Sequence, residues 1–155
     1  MPKSSAGLVL YRVLDGVLQV LLVHPGGPFW AHKESGAWTI PKGEVEAEED
    51  QLAAARREFQ EELGFSPSGD FIPLGTITQK AGKVVRAWAI EGDCDPAGIK
   101  SNSFTIEWPP RSGKQQVFPE VDRAAFFPVD EAKRKINPAQ VELISRLQEF
   151  VMERA

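Results

Sequence analysis

Glu58, Glu61 and Glu62 stand at spacings of three and four within a stretch, 49 to 63, that has no Gly or Pro and is rich in Ala, Leu, Glu, Arg and Gln. Such a stretch reads as a helix, with Gly64 as its C-terminal cap. At 100° per residue the three carboxylates fall within about 100° of one another, close enough to share a ligand. A hard divalent cation is the ligand that such a cluster suits, because Mg²⁺ selects carboxylate and water oxygens. A solvated acidic face is the plainer use of the same residues. Leu52, Ala55, Phe59 and Leu63 fall within roughly 80° on the adjoining side and form the stripe that must meet a core.

The positions around the glutamates decide between these uses. The segment 43–65, GEVEAEEDQLAAARREFQEELGF, resembles the Nudix box, Gx5Ex7REUxEExGU with U a bulky apolar residue, and fills every specified position. At ordinary residue frequencies that agreement arises by chance on the order of once in ten million in a chain this long. The resemblance to the MutT-like Nudix family implies an α/β/α sandwich around a mixed β-sheet. It implies Glu58, Glu61 and Glu62 as metal ligands, joined by the Gly43 carbonyl, with Mg²⁺ as the cofactor and Mn²⁺ as a substitute. Arg57 is expected to orient a box carboxylate, and Glu49 to support the metal site from behind or to pair with a cation. Phe59 and Phe65 read as core anchors.

The implied reaction is hydrolysis of a phosphoanhydride bond in a nucleoside di- or triphosphate-type substrate. A dinucleoside polyphosphate of the Ap4A type is the alternative, and a noncatalytic nucleotide-binding module is the alternative of another class. A pyrophosphate repels an attacking water, so cations must neutralise its oxygens and stabilise the leaving group. A remaining carboxylate can accept the proton. Family members often carry a further Glu beyond the box, and Glu120 in Phe118-Pro119-Glu120 is the best candidate, ahead of Asp122 and Glu107. The expected catalytic set is therefore Glu61, Glu62, Arg57 and Glu120.

Trp38-Thr39-Ile40-Pro41-Lys42-Gly43 resembles the Trp-x-x-Pro-Lys-Gly lead into the box of dinucleoside polyphosphate hydrolases, where Lys42 would meet phosphate. Those hydrolases commonly have His after the Gly, whereas Glu44 follows here. Lys42, Trp38, Arg86 and Trp108 form the expected substrate-binding set. Trp30 and Trp88 are further candidates to stack on a base, and Lys80, Lys83, Arg111 and Lys114 to meet phosphate. The polar stretch 91–116 is the expected specificity loop. His24 and His32 have no nucleophile near them in sequence and read as structural.

These residues need a scaffold. Apolar runs at 4–11 and 17–23 around Asp15-Gly16 predict a β-hairpin. His24 to Gly36 predicts a loop, 38–40 a short strand, 49–63 the acidic helix, 71–79 and 84–90 two further strands, 104–106 a strand-like piece within the polar stretch, 117–118 and 124–127 short strands, and 138–152 a closing helix. Strands mixed with two or three helices make one α/β domain over 1–155. The net charge of −4 and pI near 5.3 argue against a long nucleic acid as partner. A lone cysteine, Cys94, and the lack of an 18-residue apolar run predict a cytoplasmic protein without a membrane partner. A homodimer is an assembly open to it.

Overall fold

The structure is a computed structural model and describes residues 4–153. Strand β1 (Ser4–Leu14) turns at Asp15-Gly16 into β2 (Val17–Pro25), and both central residues of the turn have positive φ, as a tight hairpin requires. The two strands pair antiparallel over 11–14 and 17–20. Toward its start β1 is paired instead by β3 (Lys42–Glu44), with Ala6 opposite Gly43. The short strand expected at 38–40 is only a pair of isolated bridges, and the strand proper begins at Lys42, beyond the Pro41 that closes the apolar run.

On its other edge β1 runs parallel to β5 (Val84–Glu91), which pairs antiparallel with β4 (Ile72–Thr78). β8 (Val121–Pro128) pairs antiparallel with β2. The result is a six-stranded mixed sheet in the order β4-β5-β1-β2-β8 with β3 alongside β1. The stretch expected as a specificity loop is largely ordered as a separate antiparallel hairpin, β6 (Ser103–Glu107) with β7 (Gln115–Pro119).

Alternation along the strands sends side chains to two cores. Helix α1 (Gln51–Leu63) covers one face with Ala54, Ala55, Phe59 and Leu63, against Leu8, Leu10, Leu21 and Ile90. Helices α2 (Val129–Lys135) and α3 (Val141–Glu153) cover the other, where Leu143, Ile144 and Leu147 meet Val9, Leu22 and Val85. This is the expected α/β/α sandwich. α2 was not foreseen, being two turns with no long period to betray it. Among the described residues no helix is long and apolar enough to cross a membrane.

Candidate active site

α1 begins two residues later than its composition suggests. Asp50 is the N-cap, its side chain accepting from Ala53 N–H at 3.0 Å, so Glu49 stays outside the helix and faces back along it. There Glu49 takes a bidentate grip from Arg57, with Nε to Oε2 at 2.8 Å and Nη2 to Oε1 at 3.0 Å. The guanidinium holds the Glu49 carboxyl down at about 2. Its Nη1 donates to Glu58 Oε1 at 2.9 Å and Glu61 Oε1 at 3.2 Å, and Nη2 also reaches the Glu44 carbonyl at 3.0 Å. One arginine thus orients three box carboxylates and ties the helix to the end of β3. A lysine, with no fork, could not do both.

Gly43 is where β3 touches the helix. A Cβ at this position would overlap the Glu58 carboxylate, so only glycine lets the acid lie against the strand. Glu62 lies alongside, with a buried Oε2 that meets no hydrogen-bond donor in the protein. Burial, then the Glu58 charge, push the Glu62 carboxyl up to about 8, against the pull of Lys42. Glu58 is also raised, first by burial and then by Glu61, while Arg57 opposes the shift.

Glu120 joins this group across 58 residues of sequence separation from Glu62. Its carboxyl is raised by burial and by Glu61, and its charge is felt at Glu58 and Glu62. Backbone bonds put it there. Lys100 N–H and Asn102 N–H donate to the Leu63 and Glu61 carbonyls, which the end of α1 leaves without helical partners. Asn102 O accepts from Glu120 N–H at 2.8 Å, and Glu120 O accepts from Gly26 N–H at 2.9 Å. Nothing in the composition of 99–102 signals this role, because backbone does the work.

Asp122 and His24 brace the same corner. His24 is wholly buried; its Nε2 lies 2.6 Å from the Lys33 carbonyl, which can only accept, and its Nδ1 lies 2.8 Å from Asp122 Oδ1. The pair pins the 26–36 loop to the start of β8, the structural role expected of His24. Asp122 is thereby spent on the clamp. Glu107, the other weak candidate, accepts from Arg111 N–H at the β6–β7 turn.

The cationic residues divide. Lys42 is half-buried, its ammonium pKa lowered by burial and by the neighbouring Lys83 and held up by Glu62 and Glu58, so Lys42 borders the carboxylates and Lys83 lies near Lys42. Arg86 lies opposite Ala6, itself opposite Gly43, and so sits two strands, or roughly 10 Å, from Gly43. The alternation of β5, with Trp88 and Ile90 in the α1-side core, puts Arg86 on the α1 face. Trp38 is a correction. It is 3% exposed, edge-on to His24 and Phe127, in the core beneath α2 and α3, and cannot stack on a ligand. Its service is indirect: Trp38 N–H and O bond to Lys135 O and Asn137 N–H, anchoring the lead into Lys42. Buried Gln140 adds to this by accepting from Ile40 N–H and donating to Thr39. Trp108 is at the β6–β7 turn, away from the carboxylates, where it meets Phe29, a residue not singled out from sequence.

Among the described residues no three acidic, histidine or cysteine side chains already close around one point as a metal cage. Arg57 holds oxygens of Glu58 and Glu61 instead. The donors nonetheless fit a hard cation: they are all oxygens, burial and neighbouring carboxylates raise the pKa of Glu58 and Glu62, and Glu62 Oε2 is buried without a partner.

The geometry has counterparts. A stretch of 66 residues is 44% identical to the asymmetrical bis(5'-nucleosyl)-tetraphosphatase of Caenorhabditis elegans, covering 43% of this chain and 44% of that protein, so the match spans under half of the relative's length. The fold superposes on a crystal structure of a C. elegans Ap4A hydrolase binary complex with a TM-score of 0.70 and 22% identity, covering 96% of this chain and 98% of the other. It also superposes on the NUDIX domain of Shewanella oneidensis NrtR complexed with ADP ribose, with a TM-score of 0.68 and 17% identity, over 97% and 89% of the two chains. The NUDIX domain family model matches residues 1–147, nearly the whole chain, and with every box position filled and its side chains gathered at one corner of the sandwich, the chain belongs to the Nudix family.

Proposed function

We propose that this chain is a Mg²⁺-dependent hydrolase of a phosphoanhydride bond in a nucleoside di- or triphosphate-type substrate. The observation that carries this reading is the set of neighbouring carboxylates, Glu58, Glu61, Glu62 and Glu120, three of which have pKa values raised by burial and mutual repulsion. Nudix hydrolases generally use divalent metals, and an oxygen-only donor set favours Mg²⁺, with Mn²⁺ able to replace it. Glu58, Glu61, Glu62 and the Gly43 carbonyl would hold the ion. It would supply charge neutralisation of the phosphate oxygens and a more acidic water.

The remaining steps belong to the chain's own residues. Arg57 holds Glu49, Glu58 and Glu61 together on one side of the box, and oxygens of Glu58 and Glu61 would turn from it toward a bound ion. Glu120, held at the edge of the cluster by its backbone bonds, accepts the proton of the attacking water, and its raised pKa suits that task. Lys42, Lys83 and Arg86 line the adjoining strand ends and bind the phosphates of substrate and product. A dinucleoside polyphosphate is the second reading, favoured by the C. elegans relative, a tetraphosphatase by name.

A panel of nucleoside di- and triphosphates, nucleotide sugars and dinucleoside polyphosphates, incubated with Mg²⁺ and resolved by product, tests the proposal. Release of a nucleotide with phosphate or pyrophosphate is expected. Intact metal binding with no turnover of any compound would replace the enzyme by a binding module.

A further inference from the structure

Beyond the carboxylates, two segments distant in sequence build one aromatic wall. The 26–36 loop leaves Phe29 57% and Trp30 40% exposed, an unusual position for large rings in a loop of Gly, Pro and polar residues. The Phe29 ring meets Trp108 edge-on with centroids 5.3 Å apart. Nearer the sheet the Phe104 ring lies against Gly27, in the space a Cβ would take, and Phe104 is neighbour to Phe118 across the β6–β7 hairpin. The turn carrying Trp108 is itself braced, by Trp108 N–H to Lys114 O at 2.9 Å and by Gln116 Nε2 to Trp108 O at 2.8 Å. The rings are therefore held in place, yet Phe29 leaves more than half its surface in water.

Backbone links tie this wall to the candidate active site. Gly26 bonds the Glu120 carbonyl, and Phe29 is three residues further along the same loop. Ser103 pairs with Pro119, next to Glu120, and Trp108 is five residues beyond Ser103 on the hairpin, roughly 16 Å away along the strand. Cations outnumber anions around it. Lys33 stands over Trp30 at 5.2 Å, and Arg111 and Lys114 belong to the Trp108 turn. Glu107 bonds the Arg111 backbone, and Glu34 is occupied by Arg123 and Lys135.

We infer that Phe29 and Trp108, with Trp30 beside them, form a subsite for the far nucleobase of a dinucleoside polyphosphate whose phosphate chain lies along Lys33 and the carboxylate site. A base has a flat face that stacks on exposed rings whatever its sequence identity, and its polyphosphate meets a cationic border. A base joined to the reacting phosphorus through a ribose and one phosphate stays close to the carboxylates. A base at the far end of several phosphates reaches the hairpin turn. The inference rests on the hydrolase reading for the position of the reacting phosphate, but the subsite is a binding claim and can be tested without turnover.

The test compares kcat/KM for a dinucleoside tetraphosphate and for a nucleoside triphosphate in wild type, Phe29→Ala, Trp108→Ala and Trp108→Phe, alongside calorimetric binding of the dinucleoside tetraphosphate in the presence of Ca²⁺. The ratio of the two kcat/KM values should fall on the order of ten-fold in each alanine variant, through KM for the dinucleotide, and Trp108→Phe should restore most of it. Calorimetry should show the same weakening. An unchanged ratio together with unchanged binding overturns the subsite. If wild type turns over neither compound, the hydrolase reading fails. The subsite then stands or falls on whether the alanine variants bind the dinucleotide more weakly than wild type.

Discussion

Helices α1 and α3 are both thirteen residues long and lie on opposite faces of the same sheet, but they treat their charges differently. α3 is amphipathic in the ordinary way: Leu143, Ile144 and Leu147 are buried, while Glu142, Glu149 and Glu153 are exposed. Its Arg146 ties it to the sheet through the Leu74 and Thr76 carbonyls. α1 buries a comparable stripe, yet none of Glu58, Glu61 and Glu62 is fully exposed. They are turned toward β3 and the Glu120 corner, where a glycine leaves room and an arginine holds them. Sheet burial alone explains α3. α1 carries in addition a cost, carboxylates at raised pKa, that packing does not require and that a bound cation would relieve.

Substitutions can break that contrast. The largest effect is expected for Glu62→Gln, with kcat lower by about a thousand-fold, or about 4 kcal/mol of transition-state stabilisation, in a product-release assay. Its thermal midpoint without metal should not fall. Turnover surviving this change would remove Glu62 from the mechanism. The mirror-image experiment is Leu147→Ala on α3, which should cost about 2–5 kcal/mol in urea denaturation, while kcat per folded molecule stays near that of wild type. A variant that lost activity without losing stability would mean that α3 shares in the chemistry.

Arg57→Lys comes next. It keeps the charge but not the fork that grips Glu49 while reaching Glu58 and Glu61, so kcat/KM should drop about 10- to 100-fold. Equal activity would show that orientation of these carboxylates is unimportant. A smaller effect concerns pH. Without metal, the folded protein retains a proton on Glu62 up to about 8, whereas the unfolded chain releases it near 4.5. The unfolded state therefore binds fewer protons between those values, and stability falls as pH rises through that window. Thermal melts of metal-free protein from pH 5 to 8 should show the decline, and Glu62→Gln should flatten it. A slope unchanged by the substitution would assign the effect elsewhere. The smallest effect belongs to Glu142→Gln on α3, which removes an exposed pairing with Arg146 at 3.5 Å. No more than about 0.5 kcal/mol of stability should be lost, with activity untouched. A loss of turnover would contradict the separation of the two helices.

The sequence by itself determined the parts of this protein that depend on short-range periodicity. Spacings of three and four put Glu58, Glu61 and Glu62 on one helix face, the apolar stripe set which side meets the sheet, and Asp15-Gly16 and Gly64 punctuated the elements. Each of these is a property of neighbours within a turn or two of helix, or across one tight hairpin. The tertiary structure decided the rest. Trp38 belongs to the core because β2 and the chain after α2 close over it, and Glu120 joins the carboxylates because the end of α1, Asn102 and Gly26 bond its backbone in series. Phe29 and Trp108 meet although 79 positions separate them. Such contacts are set by strand order and register, which no local window of sequence contains, so the acidic helix was legible in one segment while the meeting of Phe29 with Trp108 and of Glu120 with the box emerges only from the folded arrangement.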